Sequence, residues 1–362
     1  MSRTVYLHIG APKTGTTYLQ DRLTLNAASL ANHDVHFPSR SALVSPGLFQ
    51  FRAALDLLGQ DWGGAPGHAD GSWDQLVKRV NRRSGTVVIS HEILAPARPH
   101  HVARAMNDLG GDADVHIVYT ARDLARQLPA AWQESIKQGR TWRYRKFLRK
   151  SERGRTWFAR SFDLPSVLGT WGVHVPPGNI HLVTVPTDRR GESLWDRFCR
   201  ATRIESSWAP EESTRANASL GVAETAVLRN LNKKLDRKVR REAAYDGLIR
   251  QMLAEEELVR GDSPRITLPP AEYDWVVERG TQWVEWVEQS GIDVVGDVAD
   301  LVPTAPAADE RWHDPDNVRA RHRMQVAMRA LVAMTTEAAT RPDPDRQLTS
   351  RLRKNADRLR SR

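Results

Sequence analysis

Apolar positions along this chain follow two different patterns. Short apolar runs bounded by turn residues occur at 5–9, 35–38, 86–92, 114–120 and 179–185, and each predicts a buried strand. In the longer stretches between them, apolar residues return every three or four positions, as a core-facing helix requires. Leu19, Leu23, Ala27 and Leu30 place one such helix at 16 to about 32. Further helices are predicted at 47–58, 73–82, 165–171, 191–200, from 221 onward, and at 240–259 and 270–290. Leu194, Trp195 and Phe198 carry the spacing in one of them, and Val227, Leu228, Leu231 and Leu235 in another. Trp275, Trp283 and Trp286 read as packing residues. The Gly/Pro-rich residues 63–67 read as a loop. Strands feeding helices predict an α/β domain, a parallel sheet flanked by helices, over residues 1–302. A Pro/Ala-rich linker at 303–309 marks its edge. Beyond it the pattern predicts an α-helical C-terminal extension, with a helix at 315–339 and a charged, basic tail to 362.

Composition narrows the picture. A chain of 362 residues, 40% hydrophobic, can build a sizeable core. No run approaches the ~18 apolar residues of a membrane span. The first strand starts too early to leave room for a signal peptide. Cys199 is the single cysteine, so an intrachain disulfide and a multi-cysteine zinc site are both excluded. A reducing, cytoplasmic setting fits these features. Net charge is +9, which suits a polyanionic small-molecule ligand but by charge alone suits nucleic acid as well.

The candidate chemistry begins at residues 10–17, Gly-Ala-Pro-Lys-Thr-Gly-Thr-Thr, between the first strand and the first helix. Gly10 and Gly15 permit a sharp turn and close approach of backbone to ligand. The helix start then offers free N–H groups and the positive end of its dipole to an anion. Lys13 adds charge, and Thr16 and Thr17 add hydroxyl donors. The nucleotide-binding order G-x-x-x-x-G-K-[ST] is not met: Lys13 precedes the second glycine, and Thr16-Thr17 stands where Lys-Ser/Thr would be. The run at 86–92 ends in Ser90, His91 and Glu92. Ligands of open α/β sheets sit at such carboxyl ends of strands. The run at 114–120 leads into Arg122 and Asp123, the first able to grip a phosphate with two parallel hydrogen bonds and the second able to cap a helix. Pro129 is expected to kink that helix or to restart it. Trp132 reads as a core residue in preference to a wall of the ligand site.

The loop Pro12-Lys13-Thr14-Gly15-Thr16-Thr17 after a strand resembles the 5′-phosphosulfate loop of the sulfotransferases that use 3′-phosphoadenosine 5′-phosphosulfate (PAPS). The resemblance spans roughly residues 3–302, most clearly the first 135, and implies a P-loop-like sulfotransferase fold. It implies that residues 12–17 bind the donor's 5′-phosphosulfate and that Arg122 binds its 3′-phosphate. It implies a general base at the strand end, Glu92 or His91, with Glu92 preferred, and an electrostatic role for Lys13 in catalysis. The family's serine eight residues after the arginine is Ala130 here, with Gln127, Gln133 or a backbone group as substitutes. Residues 215–221 look like a third family segment, in which Arg215, Asn217 and Ser219 would approach phosphates or purine; Ser219 is equally suited to cap the next helix. The implied scheme requires no metal.

Residues 138–155 carry eight basic side chains interleaved with Trp142, Tyr144 and Phe147. They read equally as a solvated helix face over buried aromatics and as a functional surface: a nucleic-acid stripe, a cover over the donor, or a surface for an anionic acceptor. The preferred function is PAPS-dependent sulfuryl transfer to a hydroxyl of a small-molecule, lipid-linked or glycan acceptor, with no nucleic acid partner. The helix at 315–339 offers a face for homodimer pairing. The rival readings are a P-loop kinase or NTPase, a basic nucleic-acid or membrane-surface binder, and a sulfotransferase-like fold that binds nucleotide without turnover.

Overall fold

The computed structural model describes residues 3–41, 44–188, 191–213, 219–241, 243–307 and 309–340. The tail beyond 340, and Arg215 and Asn217, lie outside the described residues. Six parallel strands form one sheet: β1 (Arg3–His8), β2 (Val35–His36), β3 (Gly85–Ser90), β4 (Ala113–Ala121), β5 (Ile180–Thr184) and β6 (Asp293–Val295). Their spatial order is β2-β3-β1-β4-β5-β6. After β1 the chain leaves toward one edge, and after β4 it leaves toward the other. The crevice beyond the carboxyl ends of β1 and β4 is therefore the switch point where α/β sheets bind ligands.

The strands are buried on both faces because side chains alternate. Val5, Leu7 and Ile9 join one core with Ile89, Ile117 and Tyr119; Tyr6, Val88, Val118 and Val183 join the other. On the first β-strand face pack α3 (Pro46–Leu57), α4 (Ser72–Val80), α5 (Pro99–Gly110), α6 (Leu124–Lys137), α7 (Tyr144–Glu152), α8 (Trp157–Phe162) and α9 (Leu164–Trp171). On the other lie α1 (Thr16–Leu25), α2 (Ala27–Ala31) and α10 (Leu194–Thr202), through Leu19, Leu23, Leu30, Trp195 and Phe198. The first core also takes α11 (Val222–Lys234), α12 (Ala243–Tyr245), the 12-residue π-helix Asp246–Glu257 that continues α12, α13 (Tyr273–Ser290) and α14 (Ala320–Thr340). Among the described residues, no helix is long and apolar enough to cross a membrane.

Local chemistry explains where element boundaries differ from the sequence pattern. The single helix expected at 16–32 divides at Asn26, whose side-chain amide donates to the carbonyls of Arg22 and Glu211 at 2.9 Å each. Pro129 neither ends nor restarts a helix, because α6 runs through it. The helix expected at 240–259 is largely wound as a π-helix. In α7, Tyr144, Phe147 and Leu148 are buried while Arg145, Lys146 and Arg149 face outward. Arg145 pairs with Asp314 at 3.0 Å, and Lys150 lies 5.2 Å from the Trp142 ring centre. Trp132 is fully buried and its indole N–H donates to the Trp142 carbonyl.

Candidate active site

The first strand ends in a loop whose backbone is turned at three points of positive φ: Gly10 (111°), Lys13 (65°) and Gly15 (97°). Gly10 is required by contact as well as by φ. A Cβ there would stand 3.1 Å from the Cα of Glu92. The loop thus packs directly against the carboxyl end of β3, and Glu92 is its neighbour. Gly15 caps α1 from the left-handed region. Ala11 N–H is held by the Thr120 carbonyl at 2.7 Å. The N–H groups of Lys13, Thr14 and Gly15 donate to no described residue, and those of Thr16 and Thr17 open α1. The hydroxyl of Thr17 is exposed, while that of Thr16 lies 3.5 Å from the Ala11 carbonyl. Pro12 and Thr14 are buried within the loop.

Beneath the loop runs a polar chain that the periodicity of the sequence does not reveal. His8, fully buried at the end of β1, has Nδ1 2.7 Å from Ser90 Oγ and Nε2 3.2 Å from Thr120 Oγ1. Thr120 Oγ1 lies 2.5 Å from Thr14 Oγ1, which donates to the Ala11 carbonyl. Gln20 Nε2 donates to the Ser90 carbonyl, and Ser90 N–H to Gln50 Oε1. These bonds tie β3, β1, β4 and the loop into one unit. Burial, reinforced by nearby His91, pushes the His8 imidazole down from 6.5 to about 3, so it is neutral. A base with a depressed folded value stabilises the fold fully above 6.5 and loses that contribution as pH falls toward 3. His8→Phe is expected to cost about 1–3 kcal/mol at neutral pH by leaving Ser90 and Thr120 short of partners. Its stability should also fall less steeply than wild type below pH 6.5. Denaturant midpoints at several pH values measure both effects.

Arg122 follows β4, directly beside the loop. Its Nη1 comes within 3.5 Å of the Lys13 carbonyl oxygen, across 109 positions of sequence, and its Nε is buried without a partner. Burial, aided by Arg126 and opposed by Asp123, pushes the guanidinium down to about 10, and it remains a cation at neutral pH. Asp123 caps α6 by accepting the Arg126 N–H at 2.9 Å and also pairs with the Arg126 side chain. Its carboxylate is therefore committed.

On α6, residues 127, 130 and 134 share one face. Ala130 gives no polar contact, and its neighbours act on the loop instead. Gln127 Nε2 donates to the Pro12 carbonyl at 3.0 Å, and Glu134 Oε2 accepts from Lys13 Nζ at 3.1 Å. Gln133 turns elsewhere, to the N–H of Leu220. Glu134 also accepts from Arg250 at 3.1 Å and from Gln138. Burial alone would raise this carboxyl, but Lys13, Arg250 and Lys137 outweigh it and hold the group down to about 2. Glu134 and Arg250 were not among the residues singled out from sequence. The one signal for Glu134 is an acid seven places after Gln127 on a mostly apolar helix face.

The two strand-end candidates lie 3.9 Å apart, His91 Nδ1 to Glu92 Oε2, but have different neighbours. His91 Nδ1 accepts the Ile93 N–H at 3.3 Å, capping the short turn Glu92–Leu94, and its ring lies 5.1 Å from that of Phe51. Burial pushes the ring's pKa down, with Glu92 opposing. Glu92 is 29% exposed and adjoins Gly10. Ser219 is exposed, and the cap of α11 is Gly221. Arg122 thus reaches the Lys13 backbone directly, Thr14 and Thr16 bond to the Ala11 carbonyl within the same loop, and Glu92 packs against Gly10.

No family model matches the chain, and no curated protein matches it. Among solved structures, a sulfotransferase from Alicyclobacillus acidocaldarius matches with a TM-score of 0.35 and 14% identity, over 68% of this chain and 99% of that one. At that TM-score the likeness carries no weight on function, which rests on the residues of this chain.

Proposed function

We propose that this chain transfers a sulfuryl group from PAPS to a hydroxyl of an acceptor. One observation carries the reading: the unpartnered Arg122 Nε lies in a side chain that reaches the backbone of the Lys13 loop. Two anion-binding groups on adjacent strand ends suit a ligand with two separated phosphoryl-type groups, as in a nucleoside 3′,5′-bisphosphate. The donor supplies a sulfuryl group activated by a phosphate leaving group. Lys13 and the undonated N–H groups of 13–17 hold negative charge at the loop. Arg122 fixes the far phosphate and so orients the ligand. Glu92 takes the proton from the acceptor hydroxyl onto its carboxylate. When Lys13 turns to a ligand, Glu134 keeps Arg250 and Gln138 as partners.

The kinase reading is less well supported. It calls for a lysine directly after Gly15, where Thr16 stands, and for carboxylates near the loop to hold magnesium; of the two strand-end acids, Asp123 is committed to Arg126 and the α6 cap and only Glu92 is left. Calorimetric titration separates the two. Adenosine 3′,5′-bisphosphate is expected to bind without magnesium and more tightly than ADP. Arg122→Ala should weaken it about 10- to 100-fold, the worth of a charged hydrogen-bonding pair. Magnesium-dependent binding of ADP, with no binding of the bisphosphate, would overturn the sulfuryl-transfer reading.

A further inference from the structure

Away from the loop, α11, the π-helix and α14 enclose an open chamber of about 880 Å³. That volume lies within the ~300–1,000 Å³ of small-molecule sites. Its walls are Leu228, Leu231, Ile249, Leu253, Met324 and Leu331. Of the nine large apolar side chains exposed among the described residues, three (Val239, Met324 and Leu331) line this chamber. Apolar exposure gathered at one place marks a binding surface rather than ordinary scatter. Methionine at the lip suits a ligand of adaptable shape.

The charge around the chamber is one-sided. Lys233, Lys234 and Arg323 line it, and among the described residues no aspartate or glutamate does. None of the three side chains forms an ion pair among the described residues. Burial and the neighbouring Arg229 and Arg143 push the Lys233 ammonium down, with Asp316 opposing, a strain that an anion would relieve. The same charge argues against two other occupants. A second copy seated symmetrically would bring like charges together. The segment that follows α14, residues 341–362, carries eight basic and three acidic side chains and has the same sign as the rim.

We propose that this chamber binds one long-chain carboxylate, its hydrocarbon tail between α11 and α14 and its head at Lys233, Lys234 and Arg323. The inference does not rest on sulfuryl transfer. The test is calorimetric titration of the full chain with laurate and, in parallel, with dodecanol, which has the same tail without charge. Laurate is expected to bind one per chain, about tenfold or more tighter than dodecanol. The double variant Lys233→Glu/Lys234→Glu should remove that advantage and leave dodecanol unchanged. Ala327→Trp, at an exposed alanine of the chamber wall, should abolish both. Equal affinity for the two probes, laurate binding that survives both variants, or no binding at all would overturn the proposal. So would self-association in sedimentation that Ala327→Trp abolishes, or flotation with anionic vesicles without laurate binding.

Discussion

Glu92→Gln is expected to lower turnover about 10²- to 10⁴-fold, the usual worth of a positioned general base, while bisphosphate affinity stays unchanged. The substitution keeps size and hydrogen-bonding shape and removes only the ability to take a proton. Glu92 qualifies by place: it follows β3, the strand next to β1, lies against Gly10 of the anion loop, and keeps part of its surface open. His91 is the internal control. Its Nδ1 serves the Ile93 N–H, so His91→Asn, which can keep a cap, should retain most activity. His91→Ala should cost about 1 kcal/mol of stability and little turnover. Single-turnover rates with a panel of hydroxyl acceptors make the comparison. A His91 variant as inactive as Glu92→Gln would reverse the assignment.

Glu134→Ala is expected to destabilise the fold by about 1–3 kcal/mol, the worth of charged hydrogen bonds to a buried carboxylate; it strips Lys13 of its carboxylate, while Arg250 keeps Asp246 and Lys137 keeps Glu255. Lys13, Arg250 and Lys137 all converge on this carboxylate. Lys13→Ala should cost far less, since Arg250 still faces Glu134 at 3.1 Å. The pH dependence follows from the depressed carboxyl. A carboxyl held at about 2 against an ordinary 4.5 contributes its stability above 4.5 and loses it as pH falls toward 2. Denaturant midpoints of wild type and Glu134→Ala should therefore converge below pH 4.5. A gap that stayed constant down to pH 2.5 would show that packing, not charge, explains the loss.

The sequence disclosed those parts of the fold that are written in contiguous residues. The five apolar runs became strands, and the loop, Glu92 and Arg122 fell at strand ends, because a strand's direction and a glycine's φ are local properties. The three-residue strand β6 was too short to stand out from its surroundings. The break at Asn26 was hidden because it depends on the Glu211 carbonyl, 185 positions away. Glu134 and Arg250 were hidden for the same reason: each gains its role only when α6 and the π-helix meet at Lys13. His8 was visible as a polar residue in an apolar strand, but its partners Ser90 and Thr120 come from the two neighbouring strands. Ala130 pointed to a missing contact, and the structure shows Gln127 and Glu134 bracing the loop on either side of it.

The π-helix Asp246–Glu257 belongs to two neighbourhoods at once. Ile249 and Leu253 form a wall of the apolar chamber, and Arg250, between them in sequence, reaches the carboxylate that holds Lys13. Rewinding this segment to α-helical register would turn these side chains relative to one another. A chamber ligand that turned this helix would therefore move Arg250 against Glu134, and so reach the anion loop. By reciprocity, whatever factor a chamber ligand applies to affinity at the loop, a loop ligand applies to affinity in the chamber.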